Sequence, residues 1–302
     1  MNTEDVSQEN AGCIAEHEIT VTDVKWAALI PITVGLALVI WLFIPTFKWW
    51  YGMWMKDASY YQHAFLVPFI SGFIVWLKWD LLKKMPVKPA VQGFTLLVAA
   101  LIVTSVASWV DTESIRGLMF PAVIAGLCLA ILGRKMTKEL SFPISYLYFM
   151  CVLPGFILTM LSFRIQMLST IGATMLLRIL TFDVYREGAI IMMPNIEVLV
   201  GDPCSGFRLL ISFIALSVLF VYLVEGSKWG KAMIIAFVLP LILILNSVRI
   251  ALIAIVGELM GAEAMHTFHD FSGYIILILA FVILYLFARV VKCQKFNSTL
   301  IS

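Results

Sequence analysis

The chain has 302 residues, of which 62% are hydrophobic and only 13% charged, and its mean hydropathy is +0.98. Those values exclude a water-soluble globule and define an all-α polytopic membrane protein. A net charge of +2 spread through short loops favours no nucleic-acid partner.

Residues 1–24 contain Glu4, Asp5, Glu9, Glu16, Glu18 and Asp23 without any Lys or Arg, the reverse of a signal peptide, and read as a disordered cytoplasmic tail. Apolar runs of the roughly 17–25 residues that a bilayer crossing needs follow at 26–46, 60–78, 92–110, 115–133, 140–161, 205–224, 231–250 and 273–290. They predict about eight transmembrane helices in a single domain, 25–292, ahead of a cytoplasmic tail at 293–302. A ninth stretch, 163–182, holds Arg164, Gln166 and Arg178 and is predicted to lie in the interface as an amphipathic helix. Residues 184–203 alternate Ile190, Met192, Ile196, Val198 and Val200 around Pro194-Asn195, which predicts a small exterior β-hairpin.

Sidedness follows from the basic residues. Lys78, Lys83, Lys84 and Lys88 share one loop, Arg134, Lys135 and Lys138 a second, Lys228 and Lys231 a third, and all three are predicted to be cytoplasmic. Lys25, Arg289, Lys292 and Lys295 place both termini on the same side. The loops 47–59, 111–114, 184–203 and 251–272 are then exterior.

Of five cysteines, Cys128 and Cys151 fall inside apolar runs and Cys13 and Cys293 in the terminal segments. No CxxC spacing supports a zinc site or a disulfide framework. Cys204 differs, because Asp202-Pro203-Cys204-Ser205-Gly206-Phe207-Arg208 joins a polar turn to a long apolar helix. Asp202 is predicted as the N-cap and Pro203 as the first helical residue, which leaves Cys204 among free amides that favour a thiolate.

Two other groups arrive at the same level. A helix rising 1.5 Å per residue from Lys231 brings Arg249 to the outer surface about 30 Å later, and His269 lies just ahead of the last span. Asn246, three residues before Arg249, is placed to orient it. Arg208, one turn past Cys204, either pairs with Asp202 or Glu258 or contacts substrate. His266 and Asp270 are candidates to position His269, and His63 and His266 are the next candidates for proton transfer.

Each residue also has a structural reading: a packed cysteine, an arginine reaching lipid headgroups, an interface histidine. Among functions of another class, a solute transporter or channel would use Arg249, Asp202 and the histidines along a path, yet the middles of the last three spans carry no charge. An enzyme of lipid-linked polymers would call for outward acid pairs, and Glu258 and Glu263 are the only candidates.

The Cys-Ser-Gly-Phe-Arg run, the Asn246-x-x-Arg249-Ile250 run and the His269-x-x-x-Gly273-aromatic run, in that order and each beside a span, resemble the exosortase/archaeosortase family. Tyr61-Gln62-His63-Ala64-Phe65-Leu66-Val67-Pro68 followed by Trp76, and the hairpin with Arg186, Gly188 and Pro194, extend the likeness over roughly residues 50–290. The resemblance implies a cysteine transpeptidase of the cytoplasmic membrane with its site facing the periplasm or exterior. Its substrates would be exported proteins ending in a short motif such as Pro-Glu-Pro, a transmembrane helix and a basic tail, and it would pass them to an envelope acceptor. By the matched motifs Cys204 takes the nucleophile position, Arg249 that of the essential arginine and His269 that of the histidine which marks the bacterial branch. No metal or organic cofactor is implied, and membrane lipid is the surrounding partner. Ala64, Leu209-Leu210 and Tyr274 depart from the usual residues, which bears on the recognition motif and leaves the chemistry in place.

Overall fold

The structure, a computed structural model, describes residues 26–56, 59–201, 206–293 and 295–296. The predicted tail at 1–24, together with Cys13, Asp202, Cys204 and the end of the 293–302 segment, lies outside the described residues. The chain is mostly helical, with one three-stranded and one two-stranded sheet among the described residues. Among the described residues six helices are long and apolar enough to cross a bilayer: Thr33–Trp54, Val91–Trp109, Glu113–Ile131, Gly155–Ile179, Lys228–Met260 and Ala262–Val290, with shorter apolar helices at Gln62–Leu77 and Phe207–Leu223. Trp41, Phe69, Trp76, Phe94 and Trp109 stand exposed around them. So much exposed aromatic surface has no place on a soluble monomer, and the protein is a multi-pass membrane protein.

Helices α1 (Trp26–Trp54), α4 (Val91–Trp109) and α5 (Glu113–Ile131) pack as one unit. Small residues let α4 and α5 touch backbone to backbone: a Cβ on Gly93 would run into Leu129 and Ala130, and one on Gly126 into Leu97. Phe120 fills the seam to α1, edge-on to Phe43, Phe47 and Trp50.

A second unit begins with a 3₁₀ turn (Gln62–Leu66) leading into α2 (Val67–Leu77), then the short α3 (Trp79–Leu82). The chain returns along α2 through α6 (Arg134–Glu139), α7 (Ser141–Tyr146) and a 3₁₀ turn at Leu147–Met150. Three contacts set this antiparallel course: Lys78 Nζ to Glu139 at 2.9 Å, Ser71 Oγ to the Pro143 carbonyl at 3.0 Å, and the Leu153 amide to the Tyr61 hydroxyl at 3.1 Å. The run predicted to cross at 140–161 is therefore not one helix. Pro154 lacks an amide proton and disfavours helix at the residue before it, so a new helix, α8 (Gly155–Ile179), opens there. This α8 also absorbs the stretch predicted to lie apart at 163–182 as an interfacial helix. Arg164 and Arg178 face outward along it and Gln166 donates to the Val200 carbonyl.

The predicted hairpin is a three-stranded meander of β1 (Tyr185–Glu187), β2 (Ile190–Met192) and β3 (Glu197–Leu199). Its phase on β2 is one residue off the sequence pattern, because Ile191 pairs with Val198 and it is Ile191 and Met193 that are buried. Arg186 Nη1 donates to the Gly188 carbonyl at 2.8 Å across the first turn.

Next come α9 (Phe207–Leu223), β4 (Val224–Glu225), α10 (Lys228–Met260), α11 (Ala262–Val290) and β5 (Lys295–Phe296). α9 runs parallel to α2, since Phe207 meets Tyr60, Ser212 meets His63, and Tyr222 stacks on Phe142 near Lys78. α8 and α10 also ascend together: Gly172 abuts Ser247, and Ala173 and Leu177 share a cluster with Ile250, Ala251 and Ala254. The predicted loop 251–272 is helical on both sides of Gly261 (φ +89), because Ala251, Ile253 and Ala254 are apolar and pack inward. β4 pairs with β5, Val224 opposite Phe296, so the start of the predicted C-terminal tail is docked against the α9–α10 corner.

Candidate active site

α9 does not start at the predicted cap. It opens at Phe207, and its N-cap is Gly206, whose φ of +77 lies in the left-handed region that favours glycine. Asp202 and Cys204 lie outside the described residues, and the favourable first-turn amides predicted for the thiol belong to residues after Gly206. Gly206 is required twice over. A Cβ there would be strained by that φ and would stand 2.7 Å from Asn246 Cγ and Nδ2.

Asn246 is fully buried (0% exposed) beneath this turn. The sequence placed it as the orienter of Arg249; the structure puts it against Gly206 and so under the residues that follow Cys204. Arg249, 7% exposed, is oriented instead by α11: Nε donates to Ser272 Oγ at 3.0 Å and Nη2 to the His269 carbonyl at 3.1 Å. Ser272 Oγ in turn donates to the His269 carbonyl at 3.0 Å. Gly273 packs beside the guanidinium, where a Cβ would stand in ordinary contact 3.7 Å from Arg249 Nη2.

His269 is half-buried on α11, with Nδ1 3.2 Å from Asp270 Oδ1. The Asp270 side chain is 87% exposed, so this carboxylate lies at the rim. A cavity of roughly 290 Å³ is walled by Gln62, Gly206, Arg208, Arg249, His269 and Asp270. Three sequence runs that are 45 and 20 residues apart by their first chemical group, Cys204 to Arg249 to His269, thus contribute to one wall through Gly206, Arg249 and His269.

The remaining predicted residues divide. Arg208 lines the cavity. Glu258, one of its predicted partners, holds the hairpin tip instead, accepting the Asn195 amide at 3.1 Å and Asn195 Nδ2 at 2.6 Å. His266 is exposed one turn before His269 and does not line the cavity. His63 lies beside α9, with Nδ1 2.9 Å from Ser212 Oγ, and is likewise not among the cavity residues. Cys151 is buried and its Sγ donates to the Gly117 carbonyl at 3.4 Å, a packing role. Among the described residues no cluster of His, Cys, Asp or Glu could hold a metal ion.

Gln62 and Ser272 were not singled out from the sequence. Ser272 had a signal, standing three residues after His269 and so on the same helical face. Gln62 had none, since its place depends on how α2 packs against α9.

Residues 49–286 match the transmembrane exosortase family. The chain belongs to that family, a class of membrane-embedded cysteine transpeptidases. No curated protein and no solved structure matches it.

Proposed function

We propose that this protein cleaves the C-terminal sorting signal of exported proteins at the outer face of the cytoplasmic membrane and transfers them to an envelope acceptor. The observation that carries the reading is the shared wall of Gly206, Arg249 and His269, which sets the segment after Cys204 beside a pinned guanidinium and an imidazole. The Cys204 thiolate attacks the scissile carbonyl, and the guanidinium of Arg249 stabilises the oxyanion because it stays charged at an apolar boundary. As the C–N bond breaks, His269 gives its proton to the leaving amine and a thioester to Cys204 remains. An acceptor amine or hydroxyl then attacks the thioester, His269 takes its proton, and the thiolate departs. Asp270 holds Nδ1, so proton transfer falls to Nε2.

Sidedness has support from the packing. Lys78 and Glu139, Lys88 and Gly133, and the Lys228 end of α10 all lie at the end of the bundle away from the cavity. The segments 134–150 and α8 advance in one direction and count as a single interrupted crossing. A count of eight crossings on this basis supports the reading in which the basic loops are inside and the meander, the cavity and Gly261 outside.

Replacing Cys204 with Ala should abolish processing of a reporter that carries an apolar helix and a basic tail while the folded protein remains. Processing at near the normal rate by that variant would sink the reading. A cysteine at the exposed Thr267, in a chain lacking its native thiols, should react with an impermeant reagent from outside.

A further inference from the structure

Gln166 is a half-buried amide in the apolar α8, and the proposed chemistry does not use it. It belongs to a polar face of that helix with Ser162, Ser169 and Thr170, all three buried. Ser162 Oγ lies 3.1 Å from the Tyr60 hydroxyl, which ties this face to the segment ahead of α2. One turn later Gln166 Nε2 donates to the Val200 carbonyl. That carbonyl lies at the end of the meander, where the Val200 amide donates to the Ala189 carbonyl at 3.0 Å. In a regular antiparallel exchange pair the Ala189 amide would return the bond. Among the described residues it does not, and the Val200 carbonyl is turned to α8 instead.

The position of Val200 bears directly on the nucleophile. Its side chain shares a buried cluster with Leu177 of α8 and Ile250 of α10. Cys204 stands four residues on in the sequence, at most about 14 Å of extended chain, and two residues after that Gly206 lies against Asn246. The nucleophile position is thus bracketed by a main-chain anchor on α8 before it and one on α10 after it. The two helices hold a common register, since a Cβ on Gly172 would run into Ser247 Oγ, next to Asn246 and two residues from Arg249.

We propose that Gln166 is a positioning residue for Cys204. By drawing the Val200 carbonyl out of the ladder and onto α8, it sets the point at which the chain leaves the meander for the nucleophile, in the register that α8 shares with Arg249 on α10. This assignment rests on the transpeptidase reading for the role of Cys204. Gln166 does not line the cavity of Arg249 and His269, so its loss acts on turnover and on the surroundings of the thiol and not on the binding of substrate. The charged and titratable groups of that cavity are Arg208, Arg249, His269 and Asp270, and the two guanidiniums are the ones that favour a thiolate.

The test uses the full-length protein in phosphatidylcholine nanodiscs, with Cys13, Cys128, Cys151 and Cys293 replaced by alanine. Two quantities are read: processing of a reporter with an apolar helix and a basic tail, and alkylation of Cys204 by iodoacetamide as a function of pH. Gln166→Met, an apolar replacement of similar length, should lower kcat about 10- to 100-fold while KM changes less than about twofold. It should also move the alkylation profile to higher pH, as the thiol leaves the field of Arg208 and Arg249. Gln166→Asn keeps the amide but is one methylene short of Val200; it should do nearly the same, and it guards against misfolding of the Met variant. Ser162→Ala breaks the hydrogen bond one turn earlier on the same face and should leave both readouts at the parent values. A parental kcat and alkylation profile in Gln166→Met would overturn the assignment, as would equal changes in Ser162→Ala, which would mark a general loosening of α8. A rise in KM with kcat unchanged would overturn it too, by making Gln166 a substrate contact. Absence of processing by the parent alongside a shifted alkylation profile in Gln166→Met would count against the transpeptidase reading and leave the positioning role standing.

Discussion

Two corners of the molecule hold arginines, one at the α1–α4–α5 packing and two at the α9–α10–α11 packing, and they are built to opposite ends. At the α1–α4–α5 corner Arg116 is surrounded: Nε donates to Thr46 Oγ1 at 2.7 Å, Nη1 to Ser108 Oγ at 3.5 Å, and Nη2 to the carboxylate of Glu113 three residues earlier. At the α9–α10–α11 corner Arg249 donates to the Ser272 hydroxyl and to the His269 carbonyl, and Arg208 has a buried edge that meets no acceptor among the described residues. A guanidinium neutralised by its neighbour is a rivet. Tethers to neutral groups such as the Ser272 hydroxyl and the His269 carbonyl orient a guanidinium without cancelling its charge, which is what the proposed oxyanion role requires.

The largest effect that would sharpen this contrast is on stability. Arg116→Met strands Glu113 in a buried site and should destabilise the protein by about 3–5 kcal/mol, while the double change Arg116→Met/Glu113→Leu should recover most of it, as read from thermal unfolding in detergent. Processing per folded molecule should be unchanged in both. If Arg116→Met removed processing without loss of stability, the two corners would not differ as described.

Arg249→Lys should do the reverse. Lysine keeps a charge without the planar fork, so turnover should fall by about 10²–10³ with a much smaller change in melting. Ser272→Ala removes the hydroxyl that accepts from Arg249 Nε and should lower turnover by about tenfold, from a lost charge-assisted hydrogen bond. Equal activity of Ser272→Ala and the parent would mean that the Ser272 hydroxyl is not needed to orient the guanidinium.

The smallest effect lies at the far end. Burial pulls the Lys78 pKa down, but the hydrogen bond to Glu139 and the charges of Tyr222 and Glu139 outweigh it, so the net shift is upward from 10.5. A raised folded value means that the contribution of Lys78 is complete below about pH 10 and is lost as pH climbs through the folded pKa. Lys78→Met should therefore cost no more than about 1 kcal/mol, constant from pH 7 to 9, and the difference from the parent should narrow in stronger base.

The corner that holds the candidate site was readable from spacing because a helix converts residue number into height. Counting from Lys231 brought Arg249 to the level of His269, and Pro194-Asn195 announced the turn of the meander. What spacing does not hold is lateral packing. Nothing local to Asn246 shows that it lies under Gly206 and not against Arg249, and Gln62 enters the cavity only through the α2–α9 contact. The break at Pro154 was hidden because the residues around it are apolar on both sides, so hydropathy ran on while the hydrogen-bond ladder stopped. The helical continuation of α10 beyond Arg249 was hidden for a related reason: its inner face packs on the meander, a protein surface that a bilayer-length rule does not anticipate.

The pairing of β4 with β5 has a mechanical consequence. α10 and α11 are joined at one end by Gly261 and at the other by this clasp, which closes a loop of about 70 residues from Glu225 to Lys295. Two rods fastened at both ends cannot slide past each other. A slip of a single residue along α11 would shift His269 by 1.5 Å and turn it by about 100°, enough to lose its place beside Arg249. The alignment of the site at one surface of the membrane is thus maintained in part by two short strands at the other, and loosening that distant fastening would detune the site without altering any residue in it.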